Sequence, residues 1–137
     1  MRQYHITVNT SGKSFNEITH IVTDFVAKAG VSTGICSLYM QHTSASLVLC
    51  ENADEDVKKD LENFFQKLVP EDIHQYHHKA EGKDDMPAHI RTVLTKCDLT
   101  LPIVKGELGL GTWQGIYIWE HRNSAFERRV VVTIIGE

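Results

Sequence analysis

Six short runs of apolar and β-forming side chains constrain this chain more than any other feature: QYHITVNT, GICSLYM, ASLVLC, LTLPIV, GTWQGIYIWEH and FERRVVVTIIGE. In the first, Tyr4, Ile6 and Val8 alternate with polar residues, the period-two pattern of a half-buried strand. The second and third, Gly34 to Met40 and Ala45 to Cys50, flank the polar QHTS. Residues Gln41 to Ser44 are therefore either a junction between two strands or a polar patch within one long bent strand. The last three runs are separated by the turn-rich KGELGLG and RNSA.

Other segments carry the helical period. In SFNEITHIVTDFVAKAG, Ser14 and Glu17 have capping-box spacing, Ile18, Ile21, Val22, Phe25 and Val26 form a stripe, and Gly30 terminates it. His20 falls off that stripe and reads as a surface residue. A second helix starts at NADE, where Asn52 can cap and Glu55 can return the bond. Val57, Leu61, Phe64, Phe65 and Leu68 then mark one apolar face ending before Pro70. Asp54, Glu55 and Asp56 complement its dipole. A short third helix is expected over MPAHIRTVLTK, with Pro87 early and Ile90, Val93 and Leu94 facing inward. The aperiodic stretch from Glu71 to Asp85 is longer than a compact domain usually keeps without a functional reason. This order predicts one α+β domain over residues 1–137, with two main helices and a short third against a largely antiparallel sheet or sandwich.

With 137 residues, 42% of them hydrophobic, the chain suits one core rather than two. A net charge of −4 provides no basic stripe for phosphate backbones, which argues against nucleic-acid binding. No apolar stretch approaches the ~20 residues needed to span a bilayer. The N-terminal residues lack the apolar middle of a signal peptide, so the expectation is a cytoplasmic protein without a membrane partner. Cys36, Cys50 and Cys97 sit in apolar runs, never as C-x-x-C, and read as free core thiols.

The compositional surplus is eight histidines. YHHKAEGKDDMPAHIR concentrates them with carboxylates. Adjacent residues in extended chain point opposite ways, so of His77 and His78 only one faces a common site; His78 is the choice. His89 is placed in the first turn of the third helix, where the dipole disfavours the cationic ring and leaves it free to act as a ligand. Glu81, Asp84 and Asp85 lie between them as ligands, proton carriers or hydrogen-bond partners. His42 joins if the sheet brings its polar junction beneath the loop. Three histidines with an open fourth position suit a divalent ion, zinc or magnesium. The competing reading is a solvated histidine-rich loop, since no H-E-x-x-H or C-x-x-C is present.

A second constellation is LGLGTWQGIYIWEHR. Gly109, Gly111 and Gly115 permit close backbone approach, and Thr112 and Gln114 share a strand face with Ile116, Ile118 and Glu120; Trp113, Tyr117 and Trp119 take the opposite face. The glycine-rich turn suits an anion but lacks the lysine and spacing of a nucleotide P-loop. Of Arg128 and Arg129, which alternate faces, at most one reaches the same pocket.

QHTSASLVLCENADEDV, YHHKAEGKDDMPAHI, LGTWQGIYIWEHR and RRVVVTIIGE closely resemble the YjbQ-like family over nearly the whole chain. The resemblance implies a compact α+β fold, a homotrimer, a polar histidine site near subunit contacts, and activity as a secondary thiamine-phosphate synthase. It matches His42, Thr43, Asn52, His78, Glu81, Asp84, His89, Gly111, Thr112, Trp113, Gln114 and Glu120. Lys83 and the Met86–Pro87 pair depart from the family pattern and bear on access to the loop. On this resemblance the substrates are a pyrimidine diphosphate and a thiazole phosphate. A metal on His42, His78 and His89 would neutralise an anionic group. Thr43, Asn52, Gly111, Thr112 and Gln114 would bind substrate, and Asp84, Glu81 or Glu120 would carry a proton. The alternatives are a metal-dependent hydrolase of a phosphorylated metabolite and a non-catalytic trimer that binds a metal or metabolite.

Overall fold

Antiparallel pairing organises the chain into two facing sheets. The computed structural model describes residues 1–137, apart from the side chain of Ile73. The first sheet contains β1 (Arg2–Asn9), β8 (Glu127–Gly136), β3 (Gly34–Met40), β5 (Asp98–Val104) and the two-residue β6 (Glu107–Leu108), in that spatial order. The second contains β2 (Ser14–Glu17), β7 (Gln114–Glu120) and β4 (Ala45–Glu51). Between the sheets lies one core. Ile6, Leu38, Leu101, Val130 and Val132 enter it from the first sheet, Leu47, Ile116 and Ile118 from the second.

Helix α1 (Thr19–Ala29) adds Val22 and Val26 to that core, while Ile21 turns to solvent. The expected capping box is absent. Ser14 to Glu17 form β2, which pairs with β7, and Ser14 Oγ donates to the Gly12 carbonyl at 2.8 Å. The helix starts later, after Ile18, whose side chain is buried. Burial of Ile18 and strand pairing of the preceding residues outweigh the local capping signal.

Helices α2 (Glu55–Leu68) and α3 (Asp85–Leu94) lie on the outer face of the small sheet, against β4. Asp54, rather than Asn52, caps α2, its side chain accepting from the Asp56 N–H at 2.9 Å. Asn52 instead donates its N–H to the Trp113 carbonyl. Only part of the expected apolar face finds a partner. Leu61 and Phe65 are half-buried, and Phe65 meets Trp119 edge-on at 5.1 Å, but Phe64 and Leu68 are more than half exposed. Helix α3 starts at Asp85, and its inward residues are Asp85, Pro87, Ala88, Arg91 and Thr92; Val93 and Leu94 point outward. Arg91, 1% exposed, bonds Glu62 of α2 at 2.7 Å and lies over the rings of Phe65 and Trp119.

Strand β7 is covered on both faces. Ile116 and Ile118 enter the core, Phe15 stacks on Trp119 at 4.6 Å, and Trp113 precedes the strand and is exposed. Gly115 is required by close approach. A Cβ there would lie 2.8 Å from the Tyr117 ring, 3.0 Å from Asn52 Cβ and 3.0 Å from Glu17 Oε2. Of the three cysteines, all free, only Cys36 is in the core; Cys50 is half-buried and Cys97 exposed.

The sheets are tied together at Glu120, which has no solvent exposure. Arg128 Nε and Nη2 donate to its two oxygens at 2.7 and 2.6 Å, and Thr10 Oγ1 donates at 2.6 Å. Arg128→Met would leave this carboxylate buried without its cation. The expected loss is about 3–5 kcal/mol of stability, read as a lower urea midpoint.

Candidate functional site

The end of β7 sends three consecutive side chains to three destinations. Glu120 takes Arg128 and Thr10, His121 points inward to Ser46 (Nε2 to Oγ, 2.8 Å), and Arg122 points out to the start of α3. The N–H groups of His121 and Arg122 both donate to Glu120 Oε2 at 3.1 Å, so the buried carboxylate sets the path of the backbone there. Arg122 Nε donates to Asp84 Oδ2 at 2.9 Å and Nη1 lies 2.8 Å from Asp85 Oδ1. Its Nη2 donates to the Glu81 carbonyl at 3.0 Å.

Asp84 occupies the position before α3 but does not cap it. Its Oδ2 accepts from Arg122 and from the Asn123 N–H at 2.8 Å. Burial would raise its pKa, but these bonds and the charge of Arg122 outweigh burial and hold it below the usual carboxylate value. Asp85, its side chain 3% exposed, behaves likewise. Burial opposes its charge, and the His78 bond followed by the charges of Arg122 and His89 keep it ionised.

Asp85 and His89 stand four residues apart on one helical face, which brings His89 Nε2 to 3.3 Å from Asp85 Oδ2. His78, on the loop before α3, brings its Nε2 to 2.5 Å from the same oxygen. The three donor atoms lie within 4.8 Å of one another. Two ligands on a tetrahedral ion with bonds of ~2.0 Å stand about 3.3 Å apart. The helix-borne pair already has that spacing. His78 would have to withdraw by roughly 0.8 Å to match it, and its half-exposed position on a loop leaves room to do so. The donor set of two imidazoles and a carboxylate therefore fits a divalent ion. His77, next in sequence, is outside the cluster and exposed. Because α3 begins at Asp85, His89 lies beyond the first turn, and the dipole expected to act on it acts on Asp85 instead.

The remaining residues singled out in the sequence divide between two ends of β7. His42 belongs to the Arg122 end but not to the cluster. Its Nε2 accepts the Arg129 N–H at 2.9 Å, and burial, then Arg128 and Arg129, lower its pKa. Thr43 is exposed beside it. Glu81 is exposed on the loop next to Arg122, whereas Glu120 is enclosed and bonded to Arg128 and Thr10. At the other end, Gln114 pairs with Glu51, its Oε1 accepts the Gly111 N–H at 2.8 Å, and Thr112 and Asn52 are exposed. Gln114 and Glu120 are the first and last residues of the seven-residue β7, roughly 20 Å apart. Asn52, Gly111, Thr112 and Gln114 therefore do not share a cavity with the histidines of the same chain.

Sequence reading passed over Arg122, and it left Asp85 open as a ligand, a proton carrier or a hydrogen-bond partner while assigning the metal to His42, His78 and His89. The D-M-P-A-H spacing was the available signal for Asp85, because positions i and i+4 of a helix are neighbours. Arg122 carried no such signal, since its carboxylate partners Asp85 and Asp84 are 37 and 38 positions away. A cavity of about 380 Å³ is lined by Lys13, Gln66, Val69, Pro70, Glu71 and Asn123, none of them a member of the cluster. Lys13 and Glu71 form an ion pair within it, and Asn123 leads from it to Asp84.

The sequence profile described as UPF0047 protein YjbQ-like matches residues 4–137. The chain belongs to the YjbQ-like UPF0047 family. It is 51% identical over 132 residues to the UPF0047 protein sll1880 of Synechocystis, covering 96% of this chain and 90% of that one. It is 41% identical to the UPF0047 protein YjbQ of Escherichia coli O157:H7, covering 98% of both. A crystal structure of an uncharacterised YjbQ/UPF0047-family protein from Clostridium acetobutylicum superposes with a TM-score of 0.85 at 33% identity, over 98% of this chain and 100% of that one. A hypothetical protein from Aeropyrum pernix gives 0.90 at 25% identity over the whole of both chains. These matches establish the α+β architecture as that of the family. No helix among the described residues is long and apolar enough to cross a membrane.

His121 gives the region a pH signature. Burial, then the positive charges of Arg91, Arg128 and Lys13, push its pKa from 6.5 down to about 2. Between those values the unfolded chain holds the extra proton. The stability this residue contributes is complete above pH 6.5 and drains as the pH falls, with a limiting slope of about 1.4 kcal/mol per pH unit. Urea midpoints measured between about pH 4.5 and 7.5 should show that slope in the wild type and a flatter one in His121→Gln.

Proposed function

We propose that this protein is a metal-dependent enzyme acting on phosphorylated small molecules, with His78, Asp85 and His89 as the metal ligands. The observation that carries the reading is the convergence of three donor atoms on one face of α3, within 4.8 Å of one another. Imidazole nitrogens favour zinc over magnesium, which prefers an all-oxygen, largely hydrated shell. When bound, such an ion supplies positive charge against a phosphate or activates a water.

The reaction we assign is of the thiamine-phosphate synthase kind, joining a pyrimidine diphosphate to a thiazole phosphate with loss of diphosphate. Supporting it are the family resemblance and the polar cavity that Asn123 connects to Asp84, whose Lys13 would have to exchange Glu71 for an anionic substrate. Arg122 offsets one of the two aspartates, so the metal-loaded site would be net positive and suited to an anion. Of the proposed proton carriers, Glu81 is the one left exposed and outside a buried ion pair. His42 and Thr43 flank the same end of β7 and would contact substrate rather than metal. Asn52, Gly111, Thr112 and Gln114 would reach a substrate only if a neighbouring subunit brought them there. Two outward apolar surfaces support self-association as a homotrimer: Ile35, Tyr39 and Ile135 on the large sheet, and Phe64, Leu68 and Leu94 on the helices. We place the protein in the cytoplasm, in keeping with its free thiols.

Metal analysis of purified protein should find stoichiometric zinc in the wild type and in His42→Ala and His20→Ala. His78→Ala, His89→Ala and Asp85→Asn should lose it, with affinity reduced by about 10–100-fold or more. Equal metal content across all variants would refute the ligand assignment. Turnover of the pyrimidine and thiazole substrates should vanish with chelator and return with zinc; turnover confined to simple phosphate esters would indicate a hydrolase instead. Sedimentation equilibrium should give three times the 15.5 kDa chain mass.

A further inference from the structure

We propose that Arg122 is a specificity-determining residue. By occupying one oxygen of Asp85 it makes that carboxylate a one-oxygen ligand and biases the site toward small, nitrogen-preferring ions of the zinc class. This inference rests on the metal reading above. The two oxygens of Asp85 have separate tasks: Oδ1 faces Arg122 Nη1 at 2.8 Å, and Oδ2 faces His78 and His89 at 2.5 and 3.3 Å. A carboxylate divided in this way presents one oxygen to a cation.

The division is enforced. All three guanidinium nitrogens of Arg122 are engaged, with Asp84, Asp85 and the Glu81 carbonyl. The group lies over the Phe126 ring at 5.0 Å from its centroid, and its side chain is 11% exposed. A planar fork held at every prong cannot turn to free Oδ1 without losing several bonds together. Asp85 has no alternative either, because its side chain is 3% exposed and starts a helix. Larger oxygen-preferring ions take six to eight ligands and commonly claim both oxygens of a carboxylate. Zinc is satisfied by three protein ligands and one open position. With Oδ1 withheld, the site offers one oxygen and two nitrogens, which is the poorer offer for manganese or calcium and sufficient for zinc.

The test compares the apoprotein of the wild type, Arg122→Met and Arg122→Lys. Dissociation constants for Zn²⁺ and Mn²⁺ are measured by competition with a chromophoric chelator, and the visible spectrum is recorded with Co²⁺ bound. In Arg122→Met the preference for zinc over manganese should fall by about tenfold, and the intense bands of four-coordinate cobalt should weaken as Asp85 turns to use both oxygens. Arg122→Lys keeps the charge but lacks the fork, so its preference should fall by a smaller factor; it answers the question on its own if the methionine variant does not fold. Zinc and manganese affinities that drop in parallel, with an unaltered cobalt spectrum, would overturn the proposal and leave Arg122 as a structural tie. A wild type that binds none of these ions overturns the metal reading itself, a result distinct from an unchanged preference in a protein that binds zinc tightly.

Discussion

The bidentate pair between Arg128 and Glu120, sealed from solvent, is the interaction on which the rest is built. It joins the start of β8 to the end of β7, and through the Thr10 hydroxyl it includes the residue after β1. Two charges taken from water are worth little net stability, because desolvation consumes most of their attraction. What the pair supplies is direction. Its carboxylate also collects the N–H groups of the next two residues, so the chain leaves the sheet on one path, with His121 turned in and Arg122 turned out.

Helix α3 is positioned by the same logic. An ordinary surface helix docks through an apolar stripe, but this one turns Asp85 and Arg91 inward and leaves Val93 and Leu94 outside. Ion pairs to Arg122 and Glu62 therefore locate it, with Pro87, Ala88 and Thr92 filling the contact. Charged contacts are directional where apolar ones are not, which suits a helix that must aim a carboxylate and an imidazole at one point.

Much of the architecture was legible in the sequence. Runs of apolar and β-forming side chains located every strand longer than four residues, and the helical period marked the buried residues of α1, whereas the third helix was found in the right place with the wrong face turned inward, because ion pairs and not an apolar stripe hold it. Local capping signals fared worse. Ser14 and Glu17 have the spacing of a capping box but belong to β2, since pairing with Glu120 and Tyr117 is a long-range contact that no short window contains. For the candidate site, the sequence led to His78 and His89 as its histidine pair, and the structure brings those two rings together. It grouped His42 with them, whereas the structure turns the His42 ring to the Arg129 N–H, a contact that nothing local reveals. Gln114 and Glu120 share a strand face by parity, yet parity says nothing of the distance along the strand, and that distance separates the glycine-rich turn from the histidines.

Gly115 has an evolutionary consequence. The space its missing side chain leaves is filled from three places at once: the Tyr117 ring from β7, Asn52 from the link into α2, and Glu17 from β2. Any larger residue would need all three to yield together. Descendants of this chain therefore have a narrow route away from glycine at that position, open only where the neighbours at 17, 52 and 117 first make room.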